Sequence, residues 1–212
     1  MKTPKNVRTG SCRKNSGAFT LVEMMIVVGI MLILLLGMVF TQMYGLKVAT
    51  LATNRASMSS YGRQAMDQIR DAVRSAQNVY IGNCSPTNPA SFTRATGAQQ
   101  GAALQVYSTT NIGPPYVIYY LDNSNARTNY IKSYSVDANN VTSIQTLAAY
   151  VTNTVVFYAE DYLGNVLTNN VNNRVIDVLF QFNQYAFVNK NNLFTTSFQL
   201  RTRTTQRVLN AY

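Results

Sequence analysis

A single carboxylate, Glu23, heads a segment that carries no other charge until Lys47. Beside hydrocarbon a carboxylate costs a few kcal/mol unless a cation or hydrogen-bond donors meet it, so this position invites charge pairing. The rest of the inventory argues against a reaction. The chain has no His, which removes the commonest general base and metal ligand. No Gly-x-Ser-x-Gly elbow, phosphate loop or paired-Cys metal spacing occurs. No catalytic residue, cofactor or metal site is therefore assigned, and a protein that is not an enzyme is expected. Glu160 and Asp161 offer oxygens for Ca²⁺, but their order fits no calcium loop and reads as a solvated turn. Arg201 and Arg203 share a strand face by the period of two, with Arg207 close behind. Such a strip suits contact with nucleic-acid phosphates; its ordinary role is to charge a sheet edge against aggregation.

The element that positions Glu23 is a helix. From Met24 to Leu46 the residues are uncharged and mostly apolar, and at ~1.5 Å rise per residue a helix of this length covers the ~30 Å hydrocarbon core of a bilayer. Of the 18 Lys and Arg residues, Lys2, Lys5, Arg8, Arg13 and Lys14 precede Gly17 with no acid among them. A secretory signal has a shorter apolar run and a small-x-small cleavage site after it, so this helix should stay attached. The basic flank predicts a single pass with the N-terminus cytoplasmic and everything beyond Phe40 extracytoplasmic. Without the leader, 13 basic residues face 8 acidic ones, and most of the signal for an anionic partner goes with it. Cys12 and Cys84 fall on opposite sides of the span, which excludes a disulfide between them in a processed chain, and Cys84 reads as a small buried residue.

Beyond the span there is no Pro from Thr41 to Asn78. Val48, Leu51, Met58, Tyr61, Ala65, Ile69, Val73 and Ala76 recur at helical spacing, predicting an amphipathic continuation that packs one stripe on a domain of its own. Arg63 and Asp67, four apart, suit a solvated ion pair. Gly29, Gly37 and Gly45 offer places for neighbouring helices to approach. Asn83 to Pro89, with two prolines, marks a break. Six β-rich runs follow: 103–107, 116–121, 130–136, 151–159, 174–182 and 194–202. The expected fold is α+β, with a long N-terminal helix, half transmembrane and half amphipathic, on a C-terminal antiparallel sheet. The expected division is a leader over 1–18, a transmembrane helix over 19–45, an amphipathic helix over 46–78 and a β domain over 79–212.

The basic leader, the small residues Gly17-Ala18 and then Phe19-Thr20-Leu21-Val22-Glu23 running into an apolar helix resemble the processing signature of type IV prepilins and type II secretion pseudopilins. The resemblance covers about the first quarter of the chain. It implies that a prepilin peptidase removes the leader on the cytoplasmic side and that the new N-terminus, usually Phe, is N-methylated. Glu is then the fifth residue of the mature chain. A cut between Ala18 and Phe19 makes Glu23 fifth and Phe19 the methylated residue. The usual residue before the cut is Gly, and a cut after Gly17 would make Glu23 sixth; the Phe-to-Glu spacing favours the former. The order of the later strands is similar to the J-type pseudopilins and W-type minor pilins.

What the resemblance implies is a minor pilin or pseudopilin, a structural subunit of a type IV pilus or type II secretion pseudopilus. Its implied partners are the prepilin peptidase, other pilin or pseudopilin subunits, the inner-membrane assembly platform and the lipid bilayer. It places the chain in the inner membrane and, after assembly, in the filament. Bundled helices would bring Glu23 to the α-amino group that cleavage exposes on a neighbour, and each charge then makes the other tolerable. The rival reading is a minor pilin that contacts DNA through Arg201, Arg203 and Arg207; a membrane-tethered enzyme or carrier comes third.

Overall fold

The computed structural model describes residues 20–110, 112–125, 128–169, 173–185 and 195–207. It divides into two compact units, 1–46 and 47–212, and the helix α1, Leu21–Ser75, contributes to both. In the first unit every large side chain of α1 from Leu21 to Leu46 is exposed, with Ile33 70% and Leu46 69% accessible. It is long and apolar enough to cross a membrane. The Thr41 hydroxyl donates to the Gly37 carbonyl at 2.9 Å, so this polar group is satisfied within its own helix.

In the second unit the buried stripe of α1 is Met58, Gly62, Ala65, Met66, Ile69 and Val73. These steps of three and four turn one face of the helix to a sheet. The expected stripe differs at two places: Val48 and Tyr61 are 45% and 59% exposed, and Gly62 takes the position next to Tyr61. The reason is distance, because a Cβ at Gly62 would lie 2.8 Å from Leu200 Cδ1 and 2.9 Å from Phe182 Cζ. Arg63 does not find Asp67 either; Asp67 pairs with Arg70 at 2.8 Å.

Among the described residues ten strands follow: β1 Asn78–Ser85, β2 Asn88–Arg94, β3 Gln100–Gly101, β4 Ala103–Tyr107, β5 Tyr116–Asp122, β6 Asn129–Val136, β7 Thr142–Val151, β8 Phe157–Glu160, β9 Val175–Tyr185 and β10 Thr195–Thr205. All pair antiparallel in the order β2-β1-β4-β5-β6-β7-β9-β8-β3, with β10 on the other side of β9. The expected α+β arrangement, an amphipathic helix on an antiparallel sheet, is therefore present. Its core joins the helix stripe to inward residues of the sheet, among them Leu104, Ile131, Phe157, Val178 and Phe180. A smaller cluster of Ala103, Ile118 and Tyr120, flanked by Cys84, Phe92, Tyr116 and Tyr134, covers part of the sheet separately.

Three local expectations are corrected. The break at Asn83–Pro89 is the turn of a β-hairpin: α1 ends at Ser75 and β1 begins at Asn78. Pro89 is tolerated because β2 pairs with β1 alone and needs no second ladder of donors. The run 151–159 is not one strand. Val151 closes β7 and Phe157 opens β8, and both lie along the same edge of β9. Asn153 bridges them, because its amide donates to the Leu179 carbonyl at 2.8 Å and its side-chain oxygen accepts from the Gln181 N–H at 3.0 Å. One side chain thus stands in for a missing stretch of backbone ladder. Finally, β7 extends back to Thr142 through residues that are mostly exposed.

Candidate functional site

The candidate site at the start of α1 is built by the helix itself. The Thr20 N–H and the Thr20 hydroxyl donate to Glu23 Oε2 at 2.8 and 2.9 Å, and the Glu23 N–H donates to Thr20 Oγ1 at 3.3 Å. This reciprocal pattern is a capping box, with Thr20 as N-cap and Glu23 at the third helical position. It satisfies donors that no helix can satisfy internally at its first turn, and it sets a negative charge at the positive end of the dipole. Reading Glu23 only as a charge awaiting a partner missed this role, although Thr20-Leu21-Val22-Glu23 before an apolar run is the pattern that announces it. Both bonds fall on Oε2. A carboxylate has about four acceptor positions, so an external cation can be added without opening the box. Gly17, Ala18 and Phe19, the expected cleavage and methylation residues, lie outside the described residues.

Arg201 and Arg203 have a different setting from a free basic strip. Cross-strand register sets Arg203 opposite Asp177 and Asp177 opposite Tyr158. Arg201 donates from Nε to Asp177 Oδ2 at 2.7 Å and from Nη2 to Glu160 Oε1 at 3.1 Å, while Arg203 Nη2 donates to Glu160 Oε2. The two carboxylate side chains are only 4% and 2% exposed, against 53% and 45% for the two guanidiniums. The hydrogen bond and charge of Asp177 push Arg201 above its ordinary pKa. The arginines thus cover two buried acids, whose loss of hydration they offset. Arg207 lies just past β10 and is exposed, and its N–H donates to the Arg74 carbonyl at 3.4 Å.

Asp161 closes its own turn: Oδ1 accepts from the N–H groups of Leu163 and Asn165, both at 2.8 Å, and Oδ2 from the Asn165 amide at 3.0 Å. Side-chain and backbone bonds from Asn165 hold its carboxyl below the usual range. Among the described residues no group of His, Cys, Asp or Glu is placed to hold a metal ion. Cys84 is half-buried and a free thiol, and burial pushes it up to about 11. It is therefore a poor nucleophile at neutral pH.

No curated protein and no solved structure matches the chain significantly. Residues 13–39 match the family model described as the prokaryotic N-terminal methylation motif. The motif spans the end of the basic leader, the capping box and most of the apolar segment, so the chain carries the prepilin-type signature that marks type IV pilin-like and pseudopilin proteins.

Proposed function

We propose that the chain is a minor pilin or pseudopilin, an assembly subunit rather than an enzyme, whose leader 1–18 is removed by a prepilin peptidase. Cleavage between Ala18 and Phe19 exposes an α-amino group, Phe19 is methylated, and residues 19–45 hold the subunit in the inner membrane. The N-terminus faces the cytoplasm and the β domain the opposite side, as the five basic residues before Gly17 direct. In the filament, Glu23 of one subunit meets the amino group of its neighbour. The observation that carries this reading is the exposed Glu23 at the head of the exposed apolar stretch of α1, Leu21 to Leu46: its box uses Oε2 and leaves acceptor capacity for a cation. An unmatched charge costs about 3 kcal/mol at the centre of a membrane helix and less at its mouth, so an effect of roughly tenfold in a binding constant, about 1.4 kcal/mol, is expected there.

The DNA-contact reading loses its main support, since Arg201 and Arg203 are occupied by Glu160 and Asp177. The test of the assembly reading is filament incorporation of Glu23→Gln beside the wild type, with leader removal followed in the same cells. Normal leader removal with incorporation reduced by at least tenfold is expected. Equal incorporation of the two proteins would overturn it.

A further inference from the structure

The most exposed large apolar side chain among the described residues is Tyr162, at 88%, and Leu163 beside it is 69% exposed. They are displayed, not loose. The turn that carries them is closed by Asp161 N–H to Asn165 carbonyl at 2.9 Å, Gly164 N–H to Asp161 carbonyl at 3.2 Å and the three bonds to the Asp161 side chain. Gly164 has φ +92°, a conformation other residues rarely adopt, and a Cβ there would lie 3.1 Å from Arg203 Nη2. The turn is therefore fixed against the arginine cluster, and its ordering is complete before anything binds.

At the same end of the sheet, backbone pairing brings cations from three elements to adjoining positions. Arg174 directly precedes Val175, which pairs with Glu160 at the foot of the turn. The Gln206 N–H donates to the Arg174 carbonyl at 2.8 Å, and the next N–H, of Arg207, reaches the Arg74 carbonyl. Arg74, Arg174 and Arg207 are all exposed. Among the described residues no acid forms an ion pair with any of them; the nearest helical acid, Asp71, is paired with Arg70.

We infer that this end of the β unit docks an acidic neighbouring subunit: Tyr162 and Leu163 enter an apolar pocket on it, and Arg74, Arg174 and Arg207 pair with carboxylates around that pocket. Aromatic and arginine side chains are the usual anchors of protein interfaces, and unmatched cations select a partner of opposite sign. A second copy of this chain is disfavoured, because without the leader it has 13 basic residues against 8 acidic. A nucleic acid would use the arginines but leave Leu163 without a partner. The inference rests on the assembly reading above and adds to it the surface and the chemistry of the neighbour.

The test places a photoreactive benzophenone amino acid at position 162 of the full chain in its native membrane, with position 139 as an exposed control. The expected result is a protein adduct from position 162 only, mapped to an acid-rimmed site on a different subunit with its own prepilin-type N-terminus. That adduct should fall by about tenfold in Arg174→Glu/Arg207→Glu, a variant whose melting in detergent stays unchanged because both side chains are exposed. Four results would overturn the inference: no adduct, an adduct with another copy of this chain, a nucleic-acid adduct, or an adduct indifferent to the charge reversal. If the chain is nonetheless cleaved and enters filaments in a Glu23-dependent way, only the docking surface fails. If it is neither cleaved nor assembled, the assembly reading fails with it.

Discussion

Replacing Arg201 with Ala would leave Asp177 buried beside Glu160 with a single remaining arginine between them. Removing one partner of a buried pair costs about 3–5 kcal/mol, and the half-exposed guanidinium brings the expectation toward about 2 kcal/mol. Urea unfolding should show that loss, and adding Asp177→Asn should recover part of it, since an amide needs no counter-charge. Equal stability of wild type and Arg201→Ala would contradict the role given to the cluster. Two titrations bound the stable pH range. Burial pushes the Asp122 carboxyl up, but bonds from Lys132 at 2.6 Å and Ser124 at 2.9 Å outweigh it and hold the group below its ordinary value. A lowered folded value contributes stability above the unfolded pKa of about 3.9, and that stability is lost as pH falls through the folded one. Thermal melts should thus drop below about pH 4, less steeply in Asp122→Asn. Burial also pushes the Tyr119 hydroxyl up to about 12. Unfolded Tyr ionises near about 10, so stability holds up to that pH and is lost from there toward the folded value. Tyr119→Phe should flatten the alkaline loss.

Gly62 and Asn153 each govern how an element meets its neighbours. A Gly in a helix interior ordinarily costs about 1 kcal/mol relative to Ala, yet at Gly62 the space is already filled by Leu200 and by Phe182, which is stacked on Phe198 at 4.8 Å. Gly62→Val should destabilise the β unit by about 1–3 kcal/mol in spite of its extra side chain, as measured by the midpoint of thermal unfolding. An increase in stability would show that the helix does not approach the sheet this closely. Asn153→Leu should cost about 1–3 kcal/mol by stranding the Gln181 N–H and the Leu179 carbonyl. These two residues also show where reading the sequence succeeds and fails. The stripe of Met58, Ala65, Ile69 and Val73 was legible because helical period is a local property. That Gly62 and not Tyr61 faces inward was not, because it depends on side chains more than a hundred positions away. Strands rich in Val, Ile, Phe and Tyr were legible. The hairpin of β1 and β2 was not, since Asn78–Ser85 and Asn88–Arg94 show little alternation and their pairing is decided by contacts across the sheet. At the candidate site the charge of Glu23 was evident from its isolation, whereas its capping bonds lay in a four-residue pattern read only for processing.

The molecule combines a β unit that has its own core with an apolar helical segment that the described residues leave uncovered. Lipid and neighbouring helices are two environments that can supply cover, and under the proposed assembly the subunit passes from the first to the second. Helices in lipid gain little from apolar contact alone, because lipid tails are equally apolar, so a matched charge pair has a large share in setting their register. Neutralising Glu23 should therefore leave membrane insertion and β-unit stability unchanged while lowering incorporation, a combination visible by fractionating one culture into membrane and filament pools. Under the proposed assembly the charge that completes the pair is made by proteolysis, and this step can be read directly. Intact-mass and fragment analysis of the protein isolated from its native membrane should find a chain that begins at Phe19, carries one added methyl group on its amino nitrogen and lacks residues 1–18. A native protein that still begins at Met1 would contradict the account.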